Sequence, residues 1–243
     1  MVSTRPSSII FVAGGWHNKS HIKPIIAPLG YHGHRVVPVT LRTSLKTDPS
    51  PTILDNISCI RASIERELDA GYRVCVIGHS VSGQSCAGAL STFLANAGPD
   101  QREQIEHVIF IASFMDSLRT CEGLTWYHLD PETMWTTVLE PEVFYNDMTR
   151  ETAEPFVEAL TANRAQLPPV ISDLWKNIPG TYILCKKDIA IPPDRQKMEA
   201  EENGMRMVEV ETGHCPFVSH PEMLAETIDG ILRTRGAISG VFM

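Results

Sequence analysis

Short apolar runs alternate with amphipathic stretches along most of the chain. The first run, Ser8 to Gly15, is rich in β-branched residues and stops at two glycines, as a strand covered on both faces does. A polar turn from His17 to Ser20 follows, then Ile22, Ile25, Ile26 and Leu29 at helical spacing, which predicts a short helix ended by Gly30. Arg35 to Leu41 reads as a second strand despite Pro38. Ser50-Pro51 has the form of an N-cap and first helical residue, and Leu54, Ile57, Ile60, Ile64 and Leu68 predict an amphipathic helix closed by Gly71. Strands are expected at Arg73–Gly78 and Glu106–Ser113, with a helix from Val81 to Asn96 between them. From about 115 to 178 no buried-type strand is legible, and Trp126, Tyr127, Trp135, Phe144, Tyr145, Phe156 and Trp175 lie among acidic residues and prolines. Alternation returns with a strand at Thr181–Asp188, a helix near Asp194–Glu202, a strand at Arg206–Glu211 and a last helix from about Pro221 to Arg233.

Strand–helix alternation predicts an α/β fold with a mostly parallel sheet covered by helices on both faces. The length of 243 residues fits one domain over 1–243, with residues 115–178 as a helical cap inserted after the fourth strand. In such sheets ligands bind at the carboxyl ends of the strands, the edge over which this insert would hang.

At that edge the chain carries Gly78-His79-Ser80-Val81-Ser82-Gly83, between a buried strand and a helix. This is the nucleophile-elbow pattern G-x-S-x-G with serine at its last small position. A strained strand-to-helix turn needs small residues two before and two after the serine, and it lifts the hydroxyl above the sheet edge. A serine hydroxyl needs a base. Of nine histidines, His214 stands out because it follows the last strand in a loop opened by Gly213, whereas His220 starts a helix. Asp188 ends its strand at the same edge and would orient the imidazole; Asp116, beyond the fourth strand, is the rival acid, and Asp194 reads as a helix cap. The order Ser80, Asp188, His214 is the order this fold uses. An oxyanion hole would be formed by the amides of Val81 and of Gly15, the latter in the glycine turn after the first strand. Trp16, His79, Trp126 and Trp135 are the expected substrate contacts, the cap aromatics either lining an apolar pocket or packing the cap itself.

Composition narrows the partners. Lys plus Arg is 21 against 29 Asp plus Glu, a formal charge of −8, so a nucleic-acid partner is not expected and no basic run offers an anionic membrane a hold. No apolar stretch nears the roughly 20 residues that span a bilayer, nor does the N-terminus resemble a signal peptide. The six scattered cysteines form no CxxC pair and read as free thiols of a reducing compartment, which makes a cytoplasmic location the expectation. No metal-ligand cluster and no dinucleotide- or nucleotide-binding glycine motif is present, so no cofactor is expected. Nothing fixes the oligomeric state, a homodimer being the one assembly entertained.

Taken together, the segments FVAGGWH, GHRVVPVTL, VIGHSVSG, FYND, CKKDIAIP and ETGHCPFVSHPE resemble those of small α/β-hydrolases in the branch containing plant methylesterases and hydroxynitrile lyases. The resemblance spans most of the chain. It implies a Ser80–Asp188–His214 triad, oxyanion donors at Gly15 and Val81, and ester or related acyl chemistry on small molecules under the cap. Two positions depart from the family pattern. Ala13-Gly14 stands where His-Gly is usual, which would alter that loop's hydrogen bonding. Cys215 stands where the hydroxynitrile lyases carry lysine, which disfavours cyanohydrin cleavage. The expected activity is therefore serine hydrolysis of a small-molecule carboxylic ester or lactone. Its alternatives are lyase, lactone-forming or rearrangement chemistry at the same triad, or ligand binding without turnover.

Overall fold

A computed structural model of the chain describes residues 7–115, 123–165 and 172–238. The elements alternate as strand β1 (Ser7–Val12), helix α1 (Lys19–Tyr31), β2 (Arg35–Val39), α2 (Ile53–Asp69), β3 (Arg73–His79), α3 (Ser82–Asn96), the short α4 (Pro99–Gln104) and β4 (Ile105–Ile111). The inserted segment contributes strands β5 (Tyr127–Leu129), β6 (Trp135–Val138), helix α5 (Arg150–Glu158) and β7 (Asn163–Arg164). The main alternation then resumes with β8 (Gly180–Cys185), α6 (Pro193–Glu202), β9 (Arg206–Val210), the single turn α7 (Pro216–Ser219) and α8 (Pro221–Ile238).

Six strands form one sheet in the order β2-β1-β3-β4-β8-β9, and every pairing in it is parallel. The two-residue period of the strands splits the apolar side chains between two cores. Ile9, Phe11, Cys75, Ile77, Ile109 and Ile111 point to one face, where Ile22, Ile25 and Leu29 of α1 and Leu224, Ile228 and Ile231 of α8 cover them. Ile10, Val12, Val74, Val76, Val108 and Phe110 point to the other, under Ile57, Ile60 and Ile64 of α2 and Leu90 and Phe93 of α3. The continuous apolar runs of the sequence are thus strands buried on both sides.

Local signals moved by a residue or two. Helix α2 is capped by Thr52, which shares a capping box with Asp55, and not by Ser50 with Pro51. Helix α1 passes through Pro24, Pro28 and Gly30 to Tyr31, and the left-handed residue that ends it is Gly33 (φ 87°). Gly71 does take the left-handed conformation after α2 (φ 85°). The expectation of a helical cap is amended: its described residues hold one nine-residue helix and a three-stranded antiparallel sheet, β5-β6-β7. Strands of two to four residues are too short for a hydrophobic period to register in the sequence. Among the described residues no helix is long and apolar enough to cross a membrane.

One buried side chain ties the sheet to its carboxyl edge. The Tyr182 hydroxyl in β8 accepts from the Ser113 N–H at 2.7 Å and donates to the Ser113 carbonyl at 2.8 Å, just beyond β4. Both residues are fully buried. Tyr182→Phe leaves that backbone unpartnered in a dry core, and a loss of about 1–3 kcal/mol is expected in urea unfolding at neutral pH; an unchanged midpoint would contradict this bracing role.

Candidate active site

At the end of β3 the chain turns into α3 through Ser80 with φ 54°, a left-handed conformation that a residue with a side chain avoids. Hydrogen bonds hold it there. The Ser80 N–H donates to the Ile111 carbonyl at 3.1 Å, and the Ser80 carbonyl accepts from the Phe114 N–H at 3.1 Å and the Ser113 hydroxyl at 2.6 Å. The small residues around the turn are required by space. A Cβ on Gly78 would stand 3.1 Å from Cys86 Sγ, and one on Gly83 would overlap Ser113 Oγ and the Phe114 carbonyl. Ser82 does more than stay small: its hydroxyl accepts from the His79 N–H at 2.8 Å and reaches the Val12 carbonyl at 3.1 Å, pinning the elbow to β1. Ser80 is 7% exposed.

The expected acid and base, Asp188 and His214, lie in the loops after β8 and β9. Asp188 is 2% exposed and His214 1%. His214 Nδ1 lies 2.7 Å from Asp188 Oδ2. A carboxylate oxygen accepts, so the proton sits on Nδ1 and the Nε2 lone pair is left available as a base. The other lone pairs of Asp188 are occupied: Oδ1 accepts from the Ala190 and Ile191 N–H groups at 2.8 and 2.9 Å, and Oδ2 also accepts from Gln196 Nε2 at 3.0 Å. Gln196 is itself wholly buried and accepts from the Cys185 N–H, which fixes the amide. Asp116, the rival acid, lies outside the described residues.

His79 connects the elbow to the base. Its Nε2 donates to the His214 carbonyl at 3.0 Å, and its ring packs 4.6 Å from that of His214 and 4.8 Å from Phe217. It has no exposed surface and packs between the Gly14 turn and the His214 loop.

The turn after β1 runs against the elbow. A Cβ on Gly14 would come within 2.8 Å of Ser80 Cβ, so only glycine permits this approach. A Cβ on Gly15 would lie 3.1 Å from both Val81 Cγ2 and Asn163 Nδ2, which puts Gly15 beside Val81 and brings in a cap residue, Asn163, that sequence reasoning missed. With Ala13 in place of the usual histidine, the turn is fastened from downstream: His17 Nδ1 donates to the Gly15 carbonyl at 2.7 Å. Trp16, with φ 63°, gives its carbonyl to the Thr161 N–H at 2.7 Å.

The four expected substrate contacts therefore separate. Trp126 is buried among Trp16, Tyr127 and Phe144, and its Nε1 donates to the Ala190 carbonyl at 3.1 Å, joining the cap to the Asp188 loop. Trp135 is partly exposed, with Lys46 Nζ 5.6 Å from its ring centre. Trp16 and Trp135 share, with Val138, Val157 and Leu160, the wall of an opening of about 390 Å³, a size that suits a small molecule.

This sheet order, with a left-handed serine between its third strand and the following helix and a carboxylate–imidazole pair in later loops, is the architecture of an α/β-hydrolase. The chain belongs to the alpha/beta hydrolase family, whose model matches residues 9–227. It is 25% identical over 239 residues to Alpha/beta hydrolase nvfD of Aspergillus novofumigatus (strain IBT 16806), covering 91% of this chain and 94% of that protein. It is 25% identical over 265 residues to Methylesterase 1 of Arabidopsis thaliana, covering 91% and 94%. In fold it is similar to the crystal structure of a pyrethroid hydrolase from Sphingobium faniae JZ-2, with a TM-score of 0.77, 17% identity and coverage of 93% and 97%.

Burial holds two further imidazoles neutral. Desolvation lowers the pKa of His17 and of His79 well below 6.5, and neighbouring imidazoles, His21 for His17 and His214 for both, lower them further. Desolvation also lowers that of His21, 4.8 Å from His17 ring to ring. Cys215 Sγ lies 3.4 Å from His17 Nε2; burial and the Asp188 carboxylate raise the thiol well above its usual range, so it keeps its proton and donates to that nitrogen. Below pH 6.5 the unfolded chain takes up protons that folded His17 and His79 refuse. Stability should thus be fully present above about pH 6.5 and fall with pH by up to about 1.4 kcal/mol per unit for each group, until the folded-state values are reached. Urea unfolding from pH 7.5 to 5 should show this decline, with a shallower slope in His17→Asn; equal slopes in the two proteins would refute it.

Proposed function

We propose that the protein is a serine hydrolase of small-molecule carboxylic esters or lactones, acting through Ser80, His214 and Asp188. The observation that carries this reading is the buried 2.7 Å Asp188–His214 hydrogen bond, whose geometry leaves Nε2 as a base on the edge where Ser80 stands in its elbow.

In this mechanism His214 Nε2 takes the Ser80 proton as the hydroxyl oxygen attacks the substrate carbonyl carbon. Asp188 keeps the imidazole in the productive tautomer and stabilises its cation. The N–H groups of Val81 and Gly15 receive the oxyanion, the first at the start of α3, where the helix dipole favours negative charge. His214 then protonates the leaving alkoxide. Water, activated by the same nitrogen, releases the acid and restores Ser80. The neutral Cys215 thiol offers no cation to stabilise a departing cyanide, which argues against cyanohydrin cleavage. The names of the relatives, among them a methylesterase, support ester chemistry.

Ser80→Ala should lower turnover of the best substrate in an ester and lactone panel by roughly 10⁴–10⁶-fold, and abolish labelling by a fluorophosphonate probe. Near-normal hydrolysis by that variant would end the proposal.

The wall of the opening beside Trp16 is read as an acyl or alkyl site. Trp135→Ala should raise KM for bulky apolar esters several-fold with little change in stability, because that ring is already partly in water. Trp126→Ala should instead destabilise the protein by about 3–5 kcal/mol in urea unfolding, as loss of a buried aromatic does. The reverse pattern would exchange the two roles.

A further inference from the structure

We propose that Asn146 and Asp147, in the cap, are positioning residues that hold the Asp188 loop and the His214 loop in fixed register. The inference rests on the triad reading above and extends it to residues that touch no reacting atom.

The two residues form a clamp with one arm on each loop. Asn146 Nδ2 donates to the Lys187 carbonyl at 2.8 Å, one residue before Asp188. Asp147 Oδ2 accepts from the Gly213 N–H at 2.7 Å, one residue before His214, and from the Ser219 hydroxyl at 2.9 Å. His220 Nδ1 stands 3.4 Å from the same oxygen. The loops also bond each other, the Lys187 N–H donating to the Thr212 carbonyl at 2.9 Å. A carboxylate on a backbone N–H is a charge-assisted bond, stronger than the ladder bonds that end with the strands.

Contact as well as hydrogen bonding binds the arms to the base loop. A Cβ built on Gly213 would lie 2.5 Å from Asn146 Oδ1 and 2.8 Å from Asp147 Oδ1. The clamp closes directly on backbone, and the glycine before His214 is the residue that lets it.

The base of the clamp is rigid. Phe144 and Tyr145 immediately before it are buried, and the Phe144 ring packs 5.6 Å from the His214 ring. Thr149 just after it caps α5, its side chain accepting from the Thr152 N–H. The turn between them is closed by Met148 N–H to the Tyr145 carbonyl at 2.9 Å. Nothing else among the described residues hydrogen-bonds through side chains to both Lys187 and Gly213. Without the clamp, each loop would keep its chain connections but lose the strut that sets the Nδ1–Oδ2 separation.

The test compares Asp147→Ala, Asp147→Asn and Asn146→Ala with wild type, using two independent readouts. The first is kcat and KM on the best substrate of the panel. The second is the downfield proton resonance of His214 Nδ1–H, assigned by its loss in His214→Gln. Asp147→Ala should lower kcat roughly 10–100-fold, as sub-ångström to ångström misplacement of catalytic groups does, with KM within about twofold. Its Nδ1–H resonance should broaden or exchange faster. Asp147→Asn, which keeps an acceptor oxygen for Gly213, should recover most of both. A folded Asp147→Ala with wild-type kcat and an unchanged resonance overturns the clamp. If Asp147→Ala does not fold, the same comparison passes to Asn146→Ala, whose side chain is exposed and whose loss should move both readouts in the same direction; no change in either then overturns it. If the wild-type protein hydrolyses nothing, the resonance alone decides: perturbed in the variants, the clamp stands and the hydrolase reading falls; unperturbed, the clamp falls too.

Discussion

The backbone at the carboxyl edge of the sheet is held in a conformation it would not choose. Trp16, Ser80 and Ala112, each just past the end of a neighbouring parallel strand, all have φ between 42° and 63°. Left-handed backbone costs a residue with a side chain of order 1–3 kcal/mol, so it persists only where the surroundings over-determine it. Here they do. Ser80 is fixed through both its peptide groups, Ala112 donates to the Ile183 carbonyl at 3.2 Å, and the Trp16 carbonyl takes two hydrogen bonds from Thr161. Two buried cores lie beneath the edge that these partners occupy. The strain is the means by which a hydroxyl, two amides and an aromatic ring are brought out of strands that would otherwise end in ordinary turns.

The second constraint is the absence of spare charge around the base. His21, His17, His79 and His214 form a continuous run of rings, with centroids 4.8, 5.6 and 4.6 Å apart along it. Three of these are kept neutral by burial, and the partners of each fix which nitrogen carries its proton. In the proposed mechanism, a proton gained by His214 would therefore find one carboxylate, Asp188, and no competing cation in the run. The ring that touches it most closely, His79, lends its N–H to the His214 carbonyl and so steadies the main chain without competing for Asp188.

The six strands, the elbow and the acid and base loops were legible because each is written locally: a buried run, a glycine, then a residue with chemistry. Gly78 through Gly83 is a contiguous steric requirement, and Asp188 and His214 stand three and four residues past the ends of β8 and β9. What sequence could not supply is whatever depends on the cap meeting the sheet. Asn163 reaches Gly15 across nearly 150 positions, and Gln196 serves Asp188 from inside an otherwise ordinary amphipathic helix. Asn146 and Asp147 lie in the FYND segment, visible as a shared motif but silent about its use. The cap strands escaped because Trp135 to Val138 mixes threonines with apolar residues over a single short span.

The cap is stitched to the catalytic body at both ends of the active edge, through Thr161 on the Trp16 carbonyl, Trp126 on the Ala190 carbonyl and the Asn146–Asp147 pair on the two loops. It is therefore a poor interchangeable module. Grafting a relative's insert onto this sheet to import a new selectivity would replace the walls of the pocket and the fastenings of the machinery in a single step. An exchange that preserved those three stitches and varied only the residues between them would change recognition while leaving the reacting groups where they are.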